Sequence, residues 1–411
     1  EPIEKGILRA KFGLSTFKDG TVRFDATNAP LTHFRGSEIG GGVEKLRELG
    51  YGVDFRQRSL ADGDQLCELQ PQDIVVPDRC ADYLVQVAGF VDELLQKLYG
   101  LPSYYNARTR EDLLGHLILG MSPHTSVGVV GRIVGFTKAN VCLGHPLWHA
   151  AKRRDCDGDE DAIMLALDVL LNFSRSYLPG RIGGLMDAPL LLTVILNPAE
   201  VARQAFNMEV VETFPLDFFE QASRQADPKL VQDIIETVSQ RFEVRGLESG
   251  AALGGFGFTH LVSDLNIGNL ESLYKKLGTM VEKVQEQLEL AESIVAVKAT
   301  DVARRVLSTH LMRDVTGNLK AFSTQRVRCL KCNTKYRRIP LKGVCHRCGG
   351  KLALTVHRGT IEKYVEVARD VIKRYDLGKY HEERLQLIED EIESLFVEED
   401  RKKQKVLGEF M

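Results

Sequence analysis

Three aspartates alternate around a glycine near the middle of the chain, and this spacing suits a divalent metal ion. The segment Asp155-Cys156-Asp157-Gly158-Asp159 places its carboxylates two residues apart. In an extended or looped backbone such side chains project to the same side, and Gly158 permits the close approach that lets them converge. Converging carboxylates repel one another unless a cation neutralises them, and oxygen ligands suit Mg²⁺ or Mn²⁺ better than Zn²⁺. We therefore expect a Mg²⁺ (or Mn²⁺) site in this acidic loop.

The acidic loop has two alternative interpretations. An EF-hand calcium loop also begins with alternating aspartates, but it requires Gly at its sixth position and Glu at its twelfth. This chain has Glu160 and Ala166 at those positions, which excludes the EF-hand. Glu160 and Asp161 could instead cap a following helix, because carboxylates are favoured at helix N-termini. Capping alone does not account for three alternating aspartates.

A basic triplet precedes the aspartates, and two histidines lie shortly before it. Lys152, Arg153 and Arg154 could offset the negative charge of bound phosphate groups, or they could form a solvated surface. The histidines, His145 and His149, are expected to be packed or hydrogen-bonded side chains rather than metal ligands.

Four of the eight cysteines form two knuckles, Cys329-x-x-Cys332 and Cys345-x-x-Cys348, with twelve residues between them. At this spacing four thiolates can meet in a tetrahedron that closes the coordination of Zn²⁺, so we expect a structural zinc site. The other cysteines show no paired spacing and are expected to be small core residues: Cys67, Cys80, Cys142 and Cys156.

The knuckles lie within a strongly basic stretch. Between Lys320 and Arg358 there are eleven Lys and Arg residues and no Asp or Glu, although the whole chain has a net charge of −3. A rigid zinc ribbon could display these cations toward phosphates, which would give sequence-independent, salt-sensitive affinity. The stretch could equally form a solvated face or a subunit contact. The candidate DNA-binding residues are Arg326, Arg328, Lys335, Arg337 and Arg338.

The length and composition are those of a protein with several domains. With 411 residues, of which 44% are hydrophobic and 27% charged, the chain can build sizeable cores. No apolar run approaches the roughly 18 residues of a membrane span. The chain begins at Glu1 without Met or a leader-like segment. We expect a cytoplasmic protein, or a fragment of one, with no membrane partner.

The segments around these motifs predict both strands and helices. Alternating apolar positions predict a β-hairpin over residues 7–30, and glycine-punctuated β-branched residues predict curved strands over 127–143. The triple glycine at 40–42 fits a natural loop, a mobile linker or an engineered join. Apolar spacing predicts helices at 83–98, 110–119, 162–173, 273–295, 360–376 and 381–396, and a short strand at 190–196.

The acidic loop resembles the metal-binding signature of multi-subunit RNA polymerases, but the wider sequence is more similar to another family. The stretch from His145 to Asp161 resembles the large subunit of archaeal family D DNA polymerase. Asp155 stands where that pattern has Asn. Further segments resemble the same family in order, so the resemblance covers essentially the whole chain: residues 4–11, 32–35, 123–126, 255–260 and 335–340.

The resemblance implies an α+β fold. It would comprise a double-psi β-barrel of the two-barrel polymerase type with helical elaborations, a zinc ribbon and C-terminal helices. Asp157 and Asp159 match the family's catalytic, Mg²⁺-binding aspartates, whereas the departure at Asp155 leaves open whether it is also a ligand. The implied domains are an N-terminal β-rich segment at 1–82, the catalytic barrel at 83–268, helices at 269–320, the zinc ribbon at 321–358, C-terminal helices at 359–397 and a tail at 398–411.

The implied function is that of a DNA-directed DNA polymerase catalytic subunit, extending a primer with dNTPs by two-metal nucleotidyl transfer in replication. Its implied partners are primer-template DNA and a small exonuclease subunit. The chain would match only the C-terminal part of the large subunit, with the partner barrel upstream, so the isolated chain would be inactive or weak. Two alternatives stay open: an RNA polymerase-like enzyme, and a non-catalytic zinc-ribbon subunit for DNA binding or assembly.

The C-terminal tail resembles the short peptide by which replication proteins bind the sliding clamp (PCNA). Gln404, Leu407 and Phe410 would form one helical turn with a hydrophobic plug suited to a groove. Only one aromatic residue is present, because Met411 replaces the second, and such patterns also arise by chance in amphipathic tails.

Overall fold

A computed structural model describes residues 2–17, 19–122, 127–173, 191–232, 234–246, 254–260 and 262–401. The chain divides into two compact units, Glu1–Leu273 and Tyr274–Met411, and each has its own hydrophobic core. The first unit combines a large mixed sheet with helices, and the second is mainly helical with a small sheet. The predicted α+β class is therefore confirmed.

The elements of the first unit follow in chain order. Its helices are α1 (Ile3–Lys11), α2 (Val43–Glu48), α3 (Asp78–Leu94), α4 (Pro146–Ala151), α5 (Ala166–Asn172), α6 (Leu216–Ser223) and α7 (Val238–Arg245). Its strands are β1 (Phe24–Pro30), β2 (His33–Arg35), β3 (Leu66–Glu68), β4 (Asp73–Pro77), β5 (Leu117–Met121), β6 (Val127–Thr137), β7 (Val141–Gly144), β8 (Glu160–Leu165) and β9 (Leu191–Thr193).

Seven of these strands form one sheet in the order β4-β7-β1-β8-β5-β6-β9. An additional parallel pairing of β4 with β6 closes six of them into a ring, from which only β9 is left outside. The register of that pairing shifts between Ile74 and Val75, so the strands predicted at 127–143, and a bulge within them, are confirmed. Strand β8 lies between β1 and β5, which fixes where the loop before it emerges.

The single tryptophan anchors α4 to this ring. Trp148 is fully buried, and its indole Nε1 donates a hydrogen bond to the carbonyl of Val130 at 3.2 Å. A Cβ added at Gly120 would lie 2.6 Å from the indole ring, and one added at Gly131 or Gly144 would lie 3.1–3.2 Å from it. The glycines of β5, β6 and β7 thus make the space that the indole fills.

Several other sequence predictions in the first unit are confirmed. The predicted helix at 83–98 is α3, which continues as a π-helical turn over Leu95–Tyr99 and ends at Gly100, whose φ is 63°. The predicted strand at 190–196 is present as the shorter β9. The triple glycine lies in a turn before α2, where Gly42 precedes the first helical residue, and this placement fits the natural-loop interpretation.

Three local predictions in the first unit are wrong. Residues 7–30 do not form a hairpin, because α1 occupies the start and β1 pairs with β7 and β8. The segment 110–119 holds a 3₁₀ turn, Glu111–Leu113, followed by β5. The helix predicted at 162–173 begins only at Ala166, because the buried run before it is the central strand β8. A fully buried strand carries apolar residues on both faces and therefore lacks the alternation that would distinguish it from a helix.

In the second unit, helices surround one core and a small sheet carries the cysteine knuckles. The short helix α8 (Leu273–Lys276) crosses the boundary between the units. The remaining elements are α9 (Met280–Ser293), α10 (Ala299–Val306), α11 (Met312–Thr324), β10 (Val327–Cys329), β11 (Lys335–Tyr336), β12 (Leu352–Ala353), α12 (Arg358–Glu362), α13 (Val365–Arg374) and α14 (Lys379–Arg401).

The helix predictions for the second unit have mixed outcomes. The predicted helix at 381–396 is confirmed as part of α14, and the one predicted at 360–376 is present as two helices, α12 and α13, separated by a turn at Lys363 and Tyr364. Gly378 lies between α13 and α14 at φ 85°. The single helix predicted at 273–295 is wrong. It is interrupted before Thr279, which begins α9 with a capping box that it shares with Glu282. Among the helices that the structure describes, none is both long and apolar enough to cross a membrane.

Candidate active site and zinc module

The acidic loop lies between the end of α4 and the start of β8. Asp155 and Asp157 are exposed, whereas the side chain of Asp159 is 34% exposed. The backbone φ angle is positive at Cys156 (59°) and at Gly158 (120°). The φ of residue 158 lies far from the values that other residues adopt, so glycine is favoured there. The carbonyl of Asp159 accepts a hydrogen bond from the Asn28 amide at 2.9 Å, so β1 fixes the end of the loop.

A buried ion pair lies beneath the loop. The Lys152 ammonium contacts the Asp161 carboxylate, and both side chains are at most 1% exposed. The ammonium also lies 3.4 Å from the centre of the Trp148 ring. Burial lowers the pKa of Lys152, and the negative charge of Asp161 opposes that shift. Lys152 therefore secures the base of the loop, and its burial does not favour the predicted contact with substrate.

Arg154 joins this buried pair to the exposed part of the loop. Its Nη1 lies 3.0 Å from Asp159 Oδ2, and its Nε lies 3.5 Å from Asp161 Oδ1. Its Nε also donates a hydrogen bond to Ser122 Oγ at 2.6 Å. Within the predicted basic triplet, Arg153 alone has an exposed side chain, so the three cations have different environments.

Both histidines are buried, as the sequence predicts. His149 Nε2 donates to the carbonyl of Ala29 at 3.1 Å, so its Nδ1 is free to accept from the Lys152 ammonium at 3.4 Å. Burial and then the nearby ammonium hold the pKa of His149 well below its usual value. His145 caps α4 by accepting from the Leu147 amide at 3.2 Å, and burial lowers its pKa to about 3. Both imidazoles are therefore neutral structural groups.

The donor chemistry of the loop fits a hard divalent cation. Asp155, Asp157 and Asp159 offer only oxygen, and none of them is buried. Cys156 is half-buried in the loop rather than in a core, and burial raises the pKa of its thiol to about 11, which keeps it protonated. In the part of the chain that the structure describes, the carboxylate oxygens of these three aspartates do not lie as close to one another as the four cysteine sulfurs of the zinc module do.

Sequence reasoning missed three residues that shape the loop. Asp161 is a buried strand residue and not a helix cap, although it continues the alternation of the aspartates and could have been suspected on that ground. Ser122 donates to the Lys152 carbonyl at 2.5 Å, and Asn28 binds the Asp159 carbonyl. These two are distant in sequence, and no local pattern links them to the loop.

The four knuckle cysteines converge as predicted. Their sulfur atoms all lie within 4.8 Å of one another, with 3.5 Å between the sulfurs of Cys329 and Cys348 and 3.5 Å between those of Cys332 and Cys345. Four sulfur donors at such separations suit tetrahedral Zn²⁺. The other cysteines predicted as core residues, Cys67, Cys80 and Cys142, are fully buried.

Neighbouring groups already stabilise thiolates in this module. Hydrogen bonds from Thr334 lower the pKa of Cys332 to about 6, and the hydroxyl of Tyr336, 3.0 Å from the Cys345 sulfur, lowers the pKa of that cysteine. Hydrogen bonding with Cys332 raises the pKa of Cys348 to about 12, so this sulfur keeps its proton. A zinc ion would replace such a proton with its own charge.

The basic candidates of this region are accessible, and the tail candidates cannot be placed. Arg328 is half-buried beside the zinc site, and the other four candidates are exposed: Arg326, Lys335, Arg337 and Arg338. Gln404, Leu407 and Phe410 lie outside the described residues.

Comparison with known families identifies the two parts of the chain that carry these sites. The family described as DNA polymerase II large subunit DP2, catalytic domain, matches residues 1–283, which include the acidic loop. The chain belongs to this family. Residues 323–381 match the zinc finger domain of DNA polymerase-epsilon, and together with the four sulfurs this match supports Zn²⁺ as the metal of the module.

Curated relatives in this family resemble the chain along its whole length. The DNA polymerase II large subunit of Archaeoglobus fulgidus is 50% identical over 411 residues, which are 100% of this chain and 35% of the relative. That of Pyrococcus furiosus is 53% identical over 396 residues, or 96% of this chain and 31% of the relative. The resemblance inferred from the sequence is thereby confirmed, and the chain spans about a third of the length of these relatives.

Proposed function

We propose that this chain is the catalytic part of a DNA-directed DNA polymerase, which extends a primer with deoxynucleoside triphosphates during replication. One observation carries the proposal: a chain of the DNA polymerase II large subunit family presents Asp157 and Asp159 on an accessible loop held by a closed ring of strands. The relatives are named DNA polymerases, which favours deoxynucleotides over the ribonucleotide alternative.

Asp157 and Asp159 would hold Mg²⁺ or Mn²⁺, with Asp155 as a third carboxylate on the same loop. Bound there, two such cations would activate the primer 3′-hydroxyl and stabilise the leaving pyrophosphate. The chain itself supplies the loop geometry: Asn28 fixes the carbonyl of Asp159, and the buried pair of Lys152 and Asp161 anchors both ends. Arg153 is the exposed cation of the triplet and the best placed of the three to meet a phosphate.

We infer that the ring of six strands is the double-psi β-barrel of a two-barrel polymerase. Support comes from its mixed parallel and antiparallel pairings and from the position of the acidic loop just before one of its strands. Strands β1 and β4 belong to the expected segment 1–82 and pair with strands of segment 83–268, so both segments contribute to one catalytic unit. The expected division at residue 268 lies close to the boundary between the two compact units.

We propose that the zinc module and its neighbours serve DNA binding and assembly. The exposed cations, Arg326, Lys335, Arg337 and Arg338, would contact the phosphate backbone without reading sequence. The tail at 398–411 would bind the sliding clamp, and a small exonuclease subunit would complete the enzyme as a heterodimer in the cytoplasm. We further infer that efficient synthesis requires parts of the subunit outside the third that this chain matches.

The decisive experiment removes the two carboxylates in the complete, assembled polymerase. Asp157→Asn with Asp159→Asn should lower primer extension at least about 100-fold, because neutral amides bind Mg²⁺ poorly. The matched control is Asp217→Asn with Glu220→Gln, which removes two exposed carboxylates of α6 and should leave extension unchanged. Full extension by the Asp157/Asp159 variant would refute the proposal and favour the non-catalytic alternative, whereas extension with ribonucleotides alone would favour the RNA polymerase alternative.

A further inference from the structure

Arg154 holds two carboxylates that have very different environments. Its guanidinium lies 3.0 Å from Asp159, whose side chain is 34% exposed, and 3.5 Å from Asp161, whose side chain is 1% exposed. Arg154 itself is 19% exposed. One contact therefore faces the surface of the loop, and the other faces the core.

The inner side of Arg154 is the more firmly anchored. Asp161 is fixed by the buried Lys152 ammonium, and Ser122 accepts a hydrogen bond from Arg154 Nε while it donates to the Lys152 carbonyl. These contacts hold the guanidinium in place without any help from Asp159. Asp159 is thus the partner that Arg154 can release at the lowest cost.

The same Asp159 oxygens are those that a metal ion would need. Arg154 forms an ion pair with this carboxylate. In the part of the chain that the structure describes, the carboxylates of the three loop aspartates do not converge into a cluster that could hold a metal ion. A divalent cation carries more charge than a guanidinium and competes directly for these oxygens.

We propose that Arg154 is a built-in counter-cation, which metal binding displaces from Asp159 and which thereby sets the metal affinity of the loop. This inference rests on the proposed function, because it takes Asp159 as a metal ligand. Arg154 acts through Asp159 and is therefore a positioning residue. Its hold keeps the carboxylate charge compensated and the loop ordered before the metal arrives.

The proposal predicts that loss of the competing charge strengthens metal binding. In Arg154→Gln, Mn²⁺ should bind about threefold to tenfold more tightly, as expected for the loss of a partly exposed charged hydrogen bond. Arg154→Lys keeps the charge but cannot contact both carboxylates with a planar fork, so its affinity should lie between those of the wild type and Arg154→Gln.

The test measures Mn²⁺ binding by electron paramagnetic resonance in the complete, zinc-loaded subunit, without nucleotide or DNA. Arg224→Gln is the matched control, because it removes an exposed arginine charge that does not touch Asp159, and its affinity should equal that of the wild type. Thermal melting of each variant shows that it is folded. If Arg154→Gln does not fold, the comparison of Arg154→Lys with the wild type decides.

The outcomes separate this inference from the proposed function. Mn²⁺ binding that persists in Asp157→Asn with Asp159→Asn would refute the proposed metal site itself. If that double variant loses Mn²⁺ while a folded Arg154→Gln binds it no more tightly than the wild type, the proposed function stands and the counter-cation role is refuted. Tighter binding in Arg154→Gln that disappears when Asp159→Asn is added supports the role.

Discussion

Single side chains beneath the acidic loop determine how firmly its aspartates are held. Lys152 contacts three side chains at once: Asp161, Trp148 and His149. His149 in turn is hydrogen-bonded to the Ala29 carbonyl of β1. A charge buried so completely is tolerated only because its partner is present. The loop therefore depends on buried groups that lie beneath it.

Removal of the Lys152 charge should destabilise the first unit strongly. Lys152→Met leaves the Asp161 carboxylate buried without its ammonium, so the free energy of unfolding should fall by about 3–5 kcal/mol. Urea titration followed by the fluorescence of Trp148, the single tryptophan, measures this directly. The control Arg153→Met changes an exposed cation and should alter stability by no more than about 0.5 kcal/mol. Equal stabilities for the two variants would contradict the importance of the buried pair.

His145 should make the first unit acid-sensitive. Its pKa is about 3 in the folded protein and near 6.5 when unfolded, so the unfolded chain binds the proton first and stability falls as pH drops from 6.5 toward 3. His145→Asn can keep the helix cap but cannot titrate, so the loss of stability should become shallower by about 1.4 kcal/mol per pH unit. Urea titrations between pH 4 and pH 7 test this, with the exposed His310→Asn as a control. An unchanged slope would contradict the role of His145.

At the scale of elements, α4 and the strands that flank it position the loop through one large side chain. The Trp148 indole fills the space left by glycines of three strands, which fixes α4 and hence the first residue of the loop. Gly120 is the tightest of these contacts, since an added Cβ would meet the ring at 2.6 Å and the Lys152 side chain at 3.1 Å.

Gly120→Ala should therefore be costly although it adds only one methyl group. Overpacking against a rigid buried ring typically lowers the free energy of unfolding by about 1–3 kcal/mol. Gly52→Ala, where no atom lies within 4 Å of the added Cβ, should be neutral to within about 0.5 kcal/mol. The same urea titration compares them. If Gly120→Ala proved as stable as Gly52→Ala, the close packing around the indole would be disproved.

The sequence correctly predicted the elements whose pattern lies within their own residues. The strands at 127–143, α3 and the C-terminal helices follow from spacing and glycine content, and the zinc site follows from four cysteines whose ligand geometry is nearly dictated by their separation. Strand β8 could not be distinguished from a helix, because it is buried on both faces. The supports of the loop, Ser122 and Asn28, are brought to it by strand pairing and leave no trace in the nearby sequence.

At the scale of the whole molecule, charge is divided unevenly between the acidic loop and the zinc module. The module carries exposed cations in a stretch without carboxylates, although the chain as a whole is slightly negative. This arrangement suits the proposed function, in which the module would attract a polyanion and the acidic loop would bind metal ions.

Neutralisation of two module cations should weaken DNA binding in a salt-dependent manner. For Arg337→Gln with Arg338→Gln in the complete subunit, the slope of log K against log salt should become shallower by about 1.8, or about 0.9 for each duplex phosphate that the protein no longer neutralises. The effect should be the same for unrelated DNA sequences. Arg224→Gln with Lys229→Gln removes two exposed cations from elsewhere and serves as the control. Equal slopes for the two double variants, measured by fluorescence anisotropy, would exclude phosphate binding by Arg337 and Arg338.

The closed ring of strands also constrains how the chain folds. β1 lies early in the chain, yet the two strands with which it pairs, β7 and β8, lie more than 100 residues later. Similarly, β4 pairs with β6 and β7, which both follow it in the chain. Pairings between such distant segments form slowly, because closing a long loop costs entropy before the paired strands stabilise it. During synthesis on the ribosome, the acidic loop therefore acquires the Asp161 partner of Lys152 only after β8 has emerged, so a chain truncated before that strand would lack the buried ion pair beneath the loop.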